Sequence, residues 1–393
     1  MPRISILISV LLAAALAAAS GADSLIAGGP SAPTVLGPRV VVGNTVAVRF
    51  SAHESGIAAA RLRFRCAYDT TRLHSCPRAY QARLAVGAHV LRARAVDPRG
   101  RQSATTTVRM TVKAPPAAAP SVKVGAQPVN LTVGAGSVWV TNIASGTVSR
   151  IDVATRAVTA TITIGGQPSG AAFGDGSVWI GSFGSGAVSR IDPATNRVVA
   201  RIDCGGQPLA PTVGDDGSVW VANFDGSVER IDPATNAVTA HVSVGGQANV
   251  AAVGFGKVWV GNQDGTLSAI DPTANRVVGP RIVVDRDTDA LAVSDKGVWV
   301  STFYSGTVAF VDPATHTIAA RLTLPGQTSG LLWAAGSLWA SVYDRNEVVR
   351  IDPQAARIVK TYRVATKPRD LVFDGSAVWV VNEASNSASR IAP

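Results

Sequence analysis

Histidine and cysteine, the side chains most used for metal and redox chemistry, are scarce: 5 and 3 in 393 residues. Only His241 and His316 lie beyond residue 120. No zinc-type spacing, no Ser-His-Asp set and no Gly-rich phosphate loop can be assembled from what is present. Nothing in the motifs therefore specifies an enzyme, a cofactor or a metal site. Charged residues are few at 16%, but 47% of the chain is hydrophobic, which excludes a disordered protein. Long apolar runs are missing, with one exception between Ile4 and about Ala19. That run follows Arg3, precedes the small residues Ser20-Gly21-Ala22, and is shorter than the roughly 20 residues of a membrane span. It reads as a secretory signal over residues 1–22, with an uncleaved N-terminal anchor as the alternative. No Cys follows it, so a lipid anchor is not expected.

Acidic residues are missing from one region in particular. Residues 31–113 hold 14 Lys and Arg against 3 Asp and Glu, whereas residues 121–393 hold 21 against 22. The formal net charge of +10 thus belongs almost wholly to the first region. Between the two lies "APPAAAP" (114–120), a Pro/Ala segment without periodicity that should act as a semi-rigid linker.

What the first region has is alternation with period two. In "RLRFRC", Leu62, Phe64 and Cys66 oppose Arg61, Arg63 and Arg65; in "LRARAVD", Arg92 and Arg94 oppose Leu91, Ala93 and Ala95. This pattern predicts half-buried strands of an antiparallel sandwich, about seven of them over residues 31–113. Cys66 and Cys76, ten apart, are a plausible disulfide in an oxidising compartment. The positions Phe64, Cys66, Cys76, Leu84, Gly87, His89, Arg94, Ala95, Asp97 and Gly100 resemble the pattern of bacterial Ig-like domains on secreted proteins. Gly100-Arg101 departs from the Gly-Asn of that pattern. The resemblance implies a spacer or adhesive module without an active site.

The second region is a repeat. Trp139, Trp179, Trp220, Trp259, Trp299, Trp339 and Trp379 recur at intervals of 40, 41, 39, 40, 40 and 40 residues. Each unit holds four short strand patterns and no helical periodicity, which predicts seven four-stranded propeller blades. "SVKVGAQP" (121–128) matches "TITIGGQP" (161–168), so the chain enters on an outer strand, while "SASRIAP" at the end lacks one. Residues 121–125 are therefore expected to complete the last blade and close the ring. Each Trp is read as core between blades. Asp152, Asp192, Asp232, Asp271, Asp312 and Asp352 are read as turn caps. Cys204 occupies the site of Ile164 and Val244 and should be a small buried hydrophobe.

The units resemble the secreted YVTN-type seven-bladed propellers over essentially all of 121–393, and more distantly streptogramin (virginiamycin B) lyase. The lyase resemblance implies metal-assisted elimination through a His and acidic residues at the centre of one face. His241 in an outer strand and His316 in a turn do not match that His.

Variation within the repeat marks where a ligand would bind. The loops between second and third strands carry Phe183, Phe224, Phe303, Tyr304 and Tyr343, expected to ring one face as a surface for a protein, peptide or glycan; packing onto the blade tops is the alternative. At the inner-strand mouths, Asp289, Arg369 and Asp370 replace small residues such as Gly170, Ala210, Val250 and Gly330. They are expected to form a polar cluster near the axis, open either to a hard cation or to an Arg–Asp pair with water. In the first region Arg61, Arg63, Arg65, Arg92 and Arg94 are expected to share one solvent face, suited to an anionic cell-envelope polymer or simply solvated. The whole reads as an all-β exported protein that binds rather than catalyses, with no specific nucleic acid and no membrane span in its mature form. The alternative is a metal-dependent lyase or lactonase with its centre on the propeller axis.

Overall fold

The computed structural model describes residues 29–43, 45–114 and 117–393; the expected signal segment 1–22 lies outside them. The chain divides into two compact units, Met1–Pro115 and Pro116–Pro393.

In the first unit, strands Thr34–Leu36, Thr45–Ser51 and Ala79–Arg83 form a three-stranded antiparallel sheet. Val40–Val42, Thr106–Lys113, Gly87–Val96, Arg63–Tyr68 and His74–Cys76 form a five-stranded sheet in that order. Val40–Val42 joins it in parallel, and the other pairs are antiparallel. The alternating residues of Thr45–Ser51 place Val46, Val48 and Phe50 inside. These meet Phe64, Leu91, Ala93 and Met110 of the larger sheet in one core. Phe50 and Phe64 stack between the sheets at 5.4 Å. A Cys66–Cys76 disulfide ties two neighbouring strands of the larger sheet. Closing so short a loop stabilises the fold by about 3 kcal/mol.

The second unit is built of seven four-stranded antiparallel sheets, a β-propeller-like arrangement numbered here in chain order. Sheet 1 runs Pro128–Gly134, Ser137–Asn142, Thr147–Asp152 and Val158–Thr163. Sheets 2 to 6 repeat it over 168–203, 208–243, 248–283, 288–323 and 328–363. Sheet 7 takes Pro368–Phe373, Val378–Asn382 and Ser387–Ile391 from one end of the unit and Ser121–Lys123 from the other. Ser387 pairs with Lys123 and Ser389 with Ser121.

Second strands are buried along their length, except Lys257 at the start of the second strand of sheet 4, because each is covered by neighbours on both faces. The Trp at the centre of each packs against the next sheet: Trp139 on Val178 and Ile180, Trp179 on Val219 and Val221. Trp379 of sheet 7 packs in the same way on Leu131, Val138 and Val140 of sheet 1. Six of the seven rings are fully buried and Trp299 is 7% exposed, so each is core. Truncating one would cost about 3–5 kcal/mol. Cys204 sits in the core between sheets 2 and 3, and burial pushes its thiol up to about 12, which keeps it protonated and inert.

The turn aspartates cap as their type requires. Asp152 accepts from the Thr155 amide at 2.7 Å, and Asp192 and Asp232 from Ala194 and Ala234 at 2.9 Å. These backbone bonds hold all three carboxyls below the usual range.

Candidate functional site

Each inner strand begins with an irregularity. Pairing passes from Pro128↔Asn142 to Asn130↔Thr141 in sheet 1, and the same one-residue shift recurs in the other six sheets. A bulge leaves one residue outside the ladder and re-aims its neighbour. Two consecutive residues in six of the sheets, and Ser329 in sheet 6, therefore reach a cavity of about 560 Å³ bordered by the inner strands of all seven sheets. In most sheets the first of the two is polar: Ser169, Asn249, Asp289, Ser329 and Arg369. The second is small or apolar except Asn130 and Asp370.

Asp289 and Asp370 thus both face the cavity, from registers one residue apart. As whole residues both are half-buried, and the surrounding sheets desolvate their carboxyl groups. Burial raises Asp289 to about 6, against the opposing pull of Arg369 and hydrogen bonds from Ser329 and Asn249. Burial likewise raises Asp370 to about 7, with Asp289 adding like-charge repulsion. Asn130 Nδ2 donates to Asp370 Oδ2 at 2.6 Å.

Of the two alternatives for the polar cluster, a direct Arg369–Asp ion pair is not seen: Arg369 borders the cavity, but its Nε donates to Glu383 Oε2 at 2.5 Å. Glu383 also accepts from the Tyr343 hydroxyl at 3.1 Å and from Gln127 Nε2 at 3.3 Å. Burial opposes its charge, but the hydrogen bond and positive charge of Arg369, with the hydrogen bonds from Tyr343 and Gln127, together outweigh that and hold the carboxyl below its usual range. The guanidinium of Arg369 and the ammonium of Lys367 each lie 5.3 Å from the Tyr343 ring centre. Sequence reasoning missed Glu383, although it is the one acidic residue at its position in the repeat.

That position is fixed by the backbone. The amide of Ile143 donates to the Gln127 carbonyl, and Phe183, Phe224, Gln263, Phe303, Tyr343 and Glu383 make the equivalent bond at 2.7–3.1 Å. Seven loops therefore present one side chain each from the same anchor. The residue before it is not free to vary outward: Asn142, Asn223, Asn262 and Asn382 are fully buried. Asn142 Nδ2, for example, bonds Ser149 Oγ at 3.0 Å.

The five aromatics form two groups. Phe183 and Phe224 meet edge to face at 5.8 Å. Phe303 lies 5.1 Å from Tyr304 and 5.4 Å from Tyr343. Gln263 on one side and Glu383 with Ile143 on the other interrupt the ring. Tyr304 is 70% exposed, and the other four are half-buried.

Neither imidazole of this unit borders the cavity. His241 Nδ1 contacts Glu229 Oε1 at 2.7 Å on an outer strand, and His316 lies 5.4 Å from the Trp259 ring. Among the described residues, the one trio of His, Cys, Asp or Glu close enough to share an ion is Cys66, His74 and Cys76, whose thiols are already joined. Two carboxylates without an imidazole or a third acidic ligand do not fit the metal centre of a lyase.

In the first unit, Arg65 stands directly opposite Arg94, and Arg63 opposite Val96; Arg92 lies opposite Ala67. These four arginines share the solvent face of the larger sheet. Arg61 does not, because the chain makes a 3-10 turn at Ala59–Arg61 and the strand begins only at Arg63. The alternation in "RLRFRC" extends the strand two residues too far.

No family model matches the chain, and no curated protein matches it in sequence. Among solved structures it is similar to a chain of Kuenenia stuttgartiensis hydrazine synthase, with a TM-score of 0.60 and 16% identity over 68% of this chain and 96% of that one. At that identity the likeness concerns the fold alone. Among the described residues, no helix is long and apolar enough to cross a membrane. The disulfide is compatible with an oxidising, extracytoplasmic setting.

Proposed function

We propose that the chain is an exported, non-catalytic binding protein whose residues 121–393 form a closed seven-bladed propeller of the YVTN type. Residues 31–113 are an Ig-like sandwich serving as spacer, 114–120 the linker, and 1–22 a cleaved signal. Three features support ring closure: the pairing of Ser121–Lys123 with Ser387–Ile391, the seat of Trp379 on sheet 1, and the Asn130–Asp370 hydrogen bond.

The observation that carries the binding reading is the set of seven equivalently anchored loop positions, one of which, Ile143, borders the cavity lined by all seven inner strands. On one side of the mouth, Phe303, Tyr304 and Tyr343 adjoin Glu383 and Arg369. Aromatic faces beside charged hydrogen-bonding groups suit a ligand with an apolar face and hydroxyl edges, as a sugar ring has.

The full chain should therefore bind cell-envelope oligosaccharides in a calorimetric or array measurement. Tyr343→Ala and Glu383→Gln should each weaken that binding by at least about tenfold at unchanged melting temperature. Equal binding by the variants, or no oligosaccharide bound at all, would remove the reading. A divalent ion that raises the melting temperature, with the rise abolished by Asp289→Asn, would replace it with the metal-dependent enzyme.

A further inference from the structure

The larger sheet of the first unit carries more cations on its solvent face than the alternation alone assigns. Arg63 and Arg65 come from Arg63–Tyr68, Arg92 and Arg94 from Gly87–Val96, and Arg109 and Lys113 from Thr106–Lys113. Register places them together: Arg65 pairs with Arg94, Ala67 with Arg92, and Val90 with Arg109. Same-face residues repeat at about 7 Å along a strand, and neighbouring strands lie about 4.8 Å apart. Arg63, Arg65, Arg92 and Arg94 therefore each lie within about one Debye length of at least two others and Arg109 about 8.5 Å from Arg92, so the potentials of these five sum, while Lys113 stands about 14 Å beyond Arg109 at the end of the row.

Like charges set directly opposite one another, as Arg65 and Arg94 are, oppose folding. The usual relief would be a carboxylate, and the unit's described carboxylates are engaged elsewhere. Glu54 and Asp97 both bind Arg101. Asp69, at the margin near Arg92, accepts from His89 Nδ1 at 2.6 Å and from the Val90 amide at 2.8 Å. The arginines take only neutral acceptors: the Leu73 carbonyl for Arg65, the Thr70 carbonyl for Arg92 and Thr105 Oγ1 for Arg94. Each guanidinium has five donors, so most remain free for an outside acceptor.

We infer that this face binds a linear polyanion of repeating phosphate groups. Five of the six cations are arginine, whose planar fork grips phosphate oxygens in pairs. The residues between them are Ala67, which is buried, and Ala88, Val90, Val96, Thr107 and Thr111, with no aromatic ring on which a nucleic-acid base could stack. A flat grid of forks with small spacers suits a base-free phosphate chain lying across the strands. The inference stands on the first unit alone and is independent of the ligand at the seven-sheet cavity.

The test uses the full chain and long-chain inorganic polyphosphate in equilibrium titrations at several salt concentrations. R65Q/R94Q should weaken binding by at least about tenfold and reduce the slope of log affinity against log salt by about 0.7 for each cation removed. R109Q/K113Q, one strand further on, should act the same way. R49Q/R83Q removes equal charge from the solvent face of the smaller sheet and should change affinity by less than about twofold. Equal weakening by all three pairs would mean net charge alone, and would overturn the site. So would absence of binding, stronger binding to a polyuronate, or capture by anionic vesicles that polyphosphate does not compete.

Discussion

Arg190 lies over Trp179, its guanidinium carbon 4.8 Å from the ring centre, and reaches the Pro233 carbonyl and Asn236 Oδ1 of the next sheet at 2.5 and 3.0 Å. Arg150 and Arg230 do the same toward sheets 2 and 4. Each closes the tryptophan pocket and ties two sheets through charge-assisted bonds. Where the arginine is absent another ring takes its place: Ala269 stands opposite Trp259, which is covered by His316 instead, and Phe310 covers Trp299 at 4.7 Å. Arg190→Ala should therefore lower stability by about 2 kcal/mol, combining a charged hydrogen bond with a cation–π contact. Urea denaturation checks this, and a loss under about 0.5 kcal/mol would show that the contact adds little. The tryptophan and aspartate of the repeat could be assigned from their own chemistry. The arginine could not, because its partners lie more than forty residues away and "SRID" reads as an exposed alternating position.

At the scale of the element, the bulge opening each inner strand decides what faces the cavity. Spacing of the tryptophans was enough to count the sheets and place their strands. Alternation, however, allots one residue in two to a face and cannot register an inserted one. That is why the sequence alone does not separate the registers of Asp289 and Asp370 and carries no sign that Asn130 and Asn249 reach the cavity. The two carboxyls sit at about 6 and about 7 in the fold, against about 4 in an unfolded chain. Between about pH 4 and 7 the folded state then holds more protons than the unfolded one, so these groups make stability fall as pH rises through that window. The capped aspartates of the turns work in the opposite sense: their contribution is present at neutral pH and lost as pH drops below about 4. Asp370→Asn keeps an acceptor for Asn130 and removes the buried charge. It should raise the melting temperature near pH 8, leave it nearly unchanged near pH 4, and flatten the decline between. An unchanged pH profile would mean that Asp370 is better solvated than its surroundings indicate.

At the scale of the whole molecule, the two units divide the charge and the chemistry between them. The first is a small sandwich with an uncompensated cationic face, made secure by a disulfide. The second is nearly neutral, and its cohesion comes from a Trp-filled interface repeated from sheet to sheet. In such an array each sheet is stabilised mainly by its neighbours, so the proposed closure makes sheet 7 depend on three residues from the opposite end of the unit. Ser121–Lys123 supplies the outer strand, Val122 and Val124 pack on the sheet 7 core, and the Arg390 amide donates to the Pro120 carbonyl at 2.9 Å. Removing residues 117–124 would expose Ser387–Ile391 as an unpaired edge and uncover Ala388. Edges of that kind recruit strands from other molecules. The truncated chain should melt several degrees lower and self-associate with rising concentration, which scanning calorimetry and sedimentation can follow. Replacing Val122 by Pro, which removes a strand donor and fixes φ, should give the same result in milder form. A truncated chain that stays monomeric with unaltered melting would mean that sheet 7 is complete without that strand, and the ring would then have to be held by the tryptophan interfaces alone.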